Sequence, residues 1–208
     1  MDISTVFAFL SAAVILTLMP GPDILFVTAQ SISQHSRAGI LTALGLCTGL
    51  IVHISAAALG VSAIVYQSAA AFAIIKTAGA GYLLYLAWQS FRSRHDTYIL
   101  KKQRPLKLLS LYKKGVIMNI LNPKVSLFFL ALLPQFVNEA NGNIPLQIII
   151  LGIVFIIQAL FVFTTVSFLA EKIGDLLAKR TALAKSLNTI QAILFALIAM
   201  QIAFSKQS

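Results

Sequence analysis

The stretch "LTLMPGPDILFV", residues 16–27, interrupts the first long apolar run of the chain with Pro20, Gly21, Pro22 and Asp23. Each is costly in a helix built for lipid. Proline removes a backbone donor and clashes with the preceding turn. An aspartate near a bilayer centre costs about 2.5–3.5 kcal/mol on insertion scales. Costs gathered at one place point to a partner or a function there.

The rest of the chain establishes that the setting is lipid. Its 208 residues are 59% hydrophobic and 11% charged, with mean hydropathy +0.90, whereas soluble domains carry about 25% charged residues. The single cysteine, Cys47, excludes an internal disulfide and a multi-thiolate metal site. The N-terminus "MDISTVFAFL" has no basic leader before its apolar run, so it is expected to be a retained helix. The formal charge of +10 would suit nucleic acid, but the positions of the charges argue against that partner.

A helix needs about 20 apolar residues to cross about 30 Å of hydrocarbon. Six segments qualify, at approximately 4–30, 38–64, 69–91, 114–136, 145–170 and 186–204. Arg37 lies between the first two. Arg92, Arg94, Lys101, Lys102, Arg104, Lys107, Lys113 and Lys114 lie in or beside the 92–113 loop, and Lys172, Lys179, Arg180 and Lys185 between the last two. These thirteen share one side, against Lys206 alone on the other. The positive-inside rule places the basic loops in the cytoplasm and both termini outside.

The fourth span repeats the oddity of the first. It reads "GVIMNILNPKVSLFFLALLPQF", with Asn122-Pro123-Lys124 in its middle. Span 1 opens one group of three helices and span 4 opens the other, so the halves, about 1–91 and 114–208, have opposite orientation. That is the pattern of inverted-repeat transporters. The expected fold is therefore one all-α transmembrane domain over 1–208, six helices in a 3+3 inverted repeat, with helices 1 and 4 broken at mid-membrane.

Glycine or asparagine before proline is a helix-start signature, with Gly21 or Asn122 at the N-cap and Pro22 or Pro123 at the first helical position. Both half-helix starts should face the midplane with unpaired N–H groups and partial positive charge, an environment that attracts an anion. Asp23 lies 8–10 residues, and Lys124 ten, from the cytoplasmic ends of their spans, about 12–15 Å at 1.5 Å per residue. Equal depth and opposite sign suggest an ion pair, worth about 4 kcal/mol at 4 Å and an effective dielectric near 20.

Span 2 carries Gly45, Gly49, His53, Ala57 and Gly60 on one stripe. Its small residues are expected to pack closely on a neighbouring helix. His53 either hydrogen-bonds across helices or serves a substrate or proton path. Cys47 lies about 120° round the helix from His53, so the two share no metal face. Lys76 suits snorkelling to the outer interface. Tyr82, Tyr85 and Gln89 form a polar-tipped stripe, as do Gln147, Gln158 and Thr165; both suit either interhelical bonding or cavity lining.

"PGPD", "GLCTGLIVH", "KTAGAGYLLYLAW", "NILNPK" and "PQF", in that order, resemble the LysE/RhtB family of amino-acid exporters over essentially the whole chain. The resemblance implies proton-driven efflux of amino acids or related small zwitterions from the bacterial cytoplasm across the inner membrane. It places substrate and coupling roles on Asp23, Asn119, Asn122 and Lys124, and implies no cofactor. With Pro22 and Pro123 these form the expected substrate site, with Asp23 and His53 as the proton path. The small-residue stripes would serve internal packing or a homodimer equally.

Competing functions fare worse. No G-x-x-x-x-G-K-[ST] loop occurs, so ATP hydrolysis is not expected. A metal or inorganic-ion exporter would need a ligand cluster. A membrane aspartyl protease would need two carboxylates, and Asp23 is alone within a span. A purely structural membrane subunit would leave two broken helices unexplained.

Overall fold

The computed structural model describes residues 2–19, 21–61, 106–138 and 142–177, with single positions among 77–92 and 193–200. The expected spans 3 and 6 and most of the basic loop, with Lys76, Tyr82 and Gln89, lie outside the described residues. Those described form helices and turns, with no strand among them. Helix α1 is Ile3–Leu18, α2 is Pro22–Ser33, and α3 is Ser36–Ala56, which passes into a π-helical turn at Ala57–Val61. Helix α4 is Leu108–Ile120. Helix α5, Pro123–Leu127, runs on through a π-helical turn at Phe128–Leu132 and a 3-10 turn at Leu133–Phe136. Helix α6 is Ile144–Leu177.

Two of these, α3 and α6, are each long and apolar enough to cross a bilayer. Helix α1, with 16 residues, reaches only about 24 Å. It meets the length requirement together with α2, from which it is bent by 57°, and α4 does so with the segment Pro123–Phe136, bent by 47°. The chain is a helical multi-pass membrane protein.

Helix α3 lies at the centre, against α2, α4 and α6. Its glycines explain the close approach to α4. A Cβ at Gly45 would run into the backbone of Tyr112, and one at Gly49 would lie 2.8 Å from Asn119 Cβ and 2.9 Å from Val116 O. The fit is reciprocal: a Cβ at Gly115 of α4 would lie 2.5 Å from Thr42 O and 3.0 Å from Leu46 N. Without a hydrophobic drive between helices in lipid, such backbone contact supplies dispersion attraction directly. Among the described residues a Cβ at Gly60 meets nothing within 4 Å, unlike one at Gly45 or Gly49. The π-helical turn widens the winding to i→i+5 and rotates Gly60 off the packed face.

Helix α6 buries Ile148, Leu151, Phe155, Ala159 and Phe163 at helical spacing, while Ile150, Ile153, Ile157 and Phe161 stand exposed. One face meets the core and the other suits acyl chains. The core is rich in aromatics. Phe155 lies 5.2 Å from both Phe128 and Phe129, ring centre to ring centre, and Phe9 lies 5.8 Å from Phe128. This cluster joins α1, the segment after α5, and α6 beside the two helix interruptions.

Candidate functional site at the two helix interruptions

At the first interruption α1 ends after Leu18, and α2 begins with Gly21 as N-cap and Pro22 in the first turn. Gly21 is extended and offers no side-chain cap; Leu25 N donates to Gly21 O at 3.0 Å. Proline suits this position because its missing N–H would have had no helical partner. Asp23 follows in the first turn, where a carboxylate complements the helix dipole.

The second interruption is capped from within. Asn122 precedes Pro123, and its Oδ1 accepts the backbone N–H of Lys124 at 3.0 Å. Ser126 N donates to Asn122 O at 3.1 Å. Asp23 and Lys124, the charged residues that follow the two prolines, are only 4% and 6% exposed.

The two charges do not form the expected ion pair; none joins them among the described residues. Lys124 Nζ instead donates to Leu16 O at 3.0 Å and to Met19 O at 3.4 Å. It thus caps the end of α1, where the last carbonyls have no helical partners and the dipole is negative. Gly21 leaves room for that ammonium, since a Cβ there would stand 3.2 Å from Nζ. Equal depth brought the lysine to the right level, and the open carbonyls of α1 gave it a better-placed set of acceptors.

Asp23 Oδ1 has no hydrogen-bond partner among the described residues. Lys124 lies close enough to act on the carboxylate by its charge, and the Asn122 and Asn119 side chains lie at its edge within hydrogen-bonding reach, but none makes a hydrogen bond to Oδ1. Asn119 Oδ1 and Asn122 Nδ2 are likewise buried without partners. His53 makes a cross-helix bond, Nε2 to Asn119 O at 3.0 Å, in which the ring nitrogen must be the donor. Its ring stacks on Phe129 at 6.1 Å. His53 therefore ties the end of α4 to α3, much as Lys124 ties the end of α1 to α5.

Between these groups lies a cavity of about 10 Å³, about the volume that holds one water. Thr17, Asp23, Asn119 and Lys124 form its polar wall; Leu50 of α3 and Phe155 of α6 belong to the apolar wall. The structure thus brings Pro22, Asp23, Asn119, Asn122, Pro123 and Lys124 to one place, with His53 joined through Asn119.

Sequence reasoning missed Thr17 and the apolar wall. Gln158 Nε2 donates to Thr17 Oγ1 at 2.9 Å, tying α6 to α1; the available signal was a lone glutamine in an otherwise apolar run. Gln147 is buried and bonds the Asn138 and Gly142 carbonyls, whereas Thr165 is exposed and bonds Phe161 O of its own helix. Cys47 is buried with its Sγ 4.0 Å from Ile156 O. No three His, Cys, Asp or Glu residues among the described ones are grouped to hold a metal ion.

Two bent helix pairs, each long and apolar enough together to cross a bilayer, meet at buried residues of opposite charge, an arrangement that suits proteins that move solutes through membranes. The chain belongs to the LysE type translocators, whose pattern it matches over residues 14–206. It is 30% identical over 202 residues, 97% of both chains, to the homoserine/homoserine lactone efflux protein of Salmonella typhimurium. It is 36% identical over 153 residues, 74% of both chains, to an uncharacterized membrane protein of Vibrio cholerae. The uncharacterized membrane protein YrhP of Bacillus subtilis is 34% identical over 165 residues, 75% of this chain and 78% of its own. No solved structure matches the chain.

Proposed function

We propose that this translocator is a secondary active exporter of amino acids or related small zwitterions from the bacterial cytoplasm, driven by proton entry. The observation that carries the reading is the buried Asp23 carboxylate, with Oδ1 unpartnered, beside a cavity it shares with Lys124 and Asn119. A buried ionisable group in a membrane helix is costly and marks a substrate or proton path. In this reading the substrate-binding residues are Pro22, Asp23, Asn119, Asn122, Pro123 and Lys124, and Asp23 with His53 carries protons.

The architecture proposed with it is one domain of six spans in a 3+3 inverted repeat, α1–α2 and α4–α5 each being one broken span. Both termini face outward across the inner membrane. The efflux activity named for the Salmonella relative supports the direction of transport. A cavity of about 10 Å³ cannot hold an amino acid, so transport requires the two interrupted spans to part. Movement of one repeat against the other around a fixed site supplies that opening.

The test is export from cells loaded with dipeptides. Cells expressing the protein should release one or a few amino acids faster than control cells, and Asp23→Asn should abolish the difference. Equal release of every amino acid by both cell types rejects the reading. Reporter fusions at Lys101 and Lys206 should report opposite compartments; a cytoplasmic C-terminal fusion would remove the inverted repeat.

A further inference from the structure

The polar groups around the cavity are not equally available. Lys124 Nζ is engaged with the Leu16 and Met19 carbonyls. Asp23 Oδ1 and Asn119 Oδ1 belong to residues on the same cavity, are buried, and have no hydrogen-bond partner among the described residues. Both open atoms are acceptors. The unpartnered donor nearby, Asn122 Nδ2, belongs to a residue that is not part of the cavity wall. An arriving donor therefore finds ready partners, whereas an arriving acceptor must draw Lys124 off the end of α1. Doing so would leave two carbonyls unmet where water is scarce, which carries their desolvation penalty.

We infer that the site recognises its substrate by a primary ammonium group, held by Asp23 Oδ1 and Asn119 Oδ1, and not by a carboxylate. The ammonium has three donors and no acceptor, which matches two open acceptors, one of them charged. Lys124 acts on Asp23 through its charge but gives its hydrogen bonds to α1, so it does not occupy Oδ1. Asp23 is left to the ligand. The apolar wall formed by Leu50, Phe155 and Phe163 offers nothing to a second charge. The substrate class is thus small primary ammonium compounds: amino acids together with their amides and esters. This rests on the exporter reading above and narrows it.

The test uses the wild-type protein in proteoliposomes, so no variant has to fold. L-homoserine, L-threonine and L-leucine serve as parent probes. Each is compared with its amide, which keeps the ammonium and lacks the carboxylate, and with its N-acetyl form, which does the reverse. For each parent that is transported, the amide should compete within about tenfold of it, and the N-acetyl compound should be weaker by more than about tenfold. Any other order, including amides weaker than that, overturns ammonium recognition while leaving export of the parent intact. If no parent or amide binds or moves while an N-acetyl compound or an unrelated solute does, the exporter reading falls and this inference falls with it. The same holds if nothing is bound or moved at all.

Discussion

Gly21-Pro22-Asp23 and Asn122-Pro123-Lys124 are two helix starts of one design that leave their charged residues in opposite conditions. The second is closed on itself: Asn122 caps the first turn, and Lys124 reaches across to cap α1. At the first, the N-cap has no side chain, and Asp23 Oδ1 is buried without a partner. The lesson is a division of labour. The lysine side of the site is a clamp that holds the interruption together, and the aspartate side keeps an open acceptor, which is the side we propose for the ligand.

The strongest way to break this comparison is to neutralise each side in turn. Lys124→Met removes the cap from α1, leaving the Leu16 and Met19 carbonyls unmet at about 1–3 kcal/mol each, and takes away a cation that acts on Asp23. Membrane abundance and transport should both collapse. Asp23→Asn breaks no hydrogen bond to Oδ1, so abundance should hold while transport is lost. Immunoblots of membranes, read beside export rates, decide the matter. Equal loss of abundance in both variants would mean that the aspartate is also a clamp. The double variant should recover abundance only in part, because the Leu16 and Met19 carbonyls stay bare.

The next effect tests the frame that holds the second interruption in place. Gly49→Ala puts a Cβ 2.8 Å from Asn119 Cβ and should cost about 1–3 kcal/mol by overpacking. Gly60→Ala, which meets nothing within 4 Å among the described residues, should change stability by less than about 0.5 kcal/mol. Thermal unfolding of the purified variants measures both. If the two shift alike, the contact between α3 and α4 is looser than the structure has it.

Asn122→Ala should cost about 1 kcal/mol through the lost N-cap, and Asn122→Asp should retain most of it. An unaltered Asn122→Ala protein would make the two helix starts equivalent and undo their contrast. A comparable change is expected at His53. His53→Leu leaves Asn119 O without its cross-helix donor, about 0.5–1.5 kcal/mol for one hydrogen bond. His53→Gln can restore that donor. If export driven by a pH gradient fails in both variants while substrate binding survives in both, His53 carries protons as well as holding α4.

Much of this site was legible because its chemistry is local. Glycine or asparagine before proline specifies a helix start wherever it occurs, and α2 and α5 begin at Pro22 and Pro123. The apolar runs indicated membrane spans, and the charges inside them indicated where burial would be costly. The small residues of span 2 pointed to a close helix contact, although the partner's Gly115 was not recognised. Gly60 makes no such contact among the described residues, because a stripe drawn at α-helical spacing continues straight, while the helix turns π-helical at Ala57–Val61.

The sequence by itself determined the helix starts, the membrane setting, and the presence of one acid and one base beside matching prolines. All of these follow from backbone chemistry and hydrophobicity acting over a few residues. The tertiary structure decided which bonds those charges make. A lysine chain at a given depth can reach a carboxylate or the carbonyls of a helix end, and only the placement of α1 beside α5 sets which lies within 3 Å of Nζ. It also brought Phe155 of α6 into the lining of the same cavity as Asp23. Neighbours so far apart in the chain are fixed by packing, which no local pattern encodes.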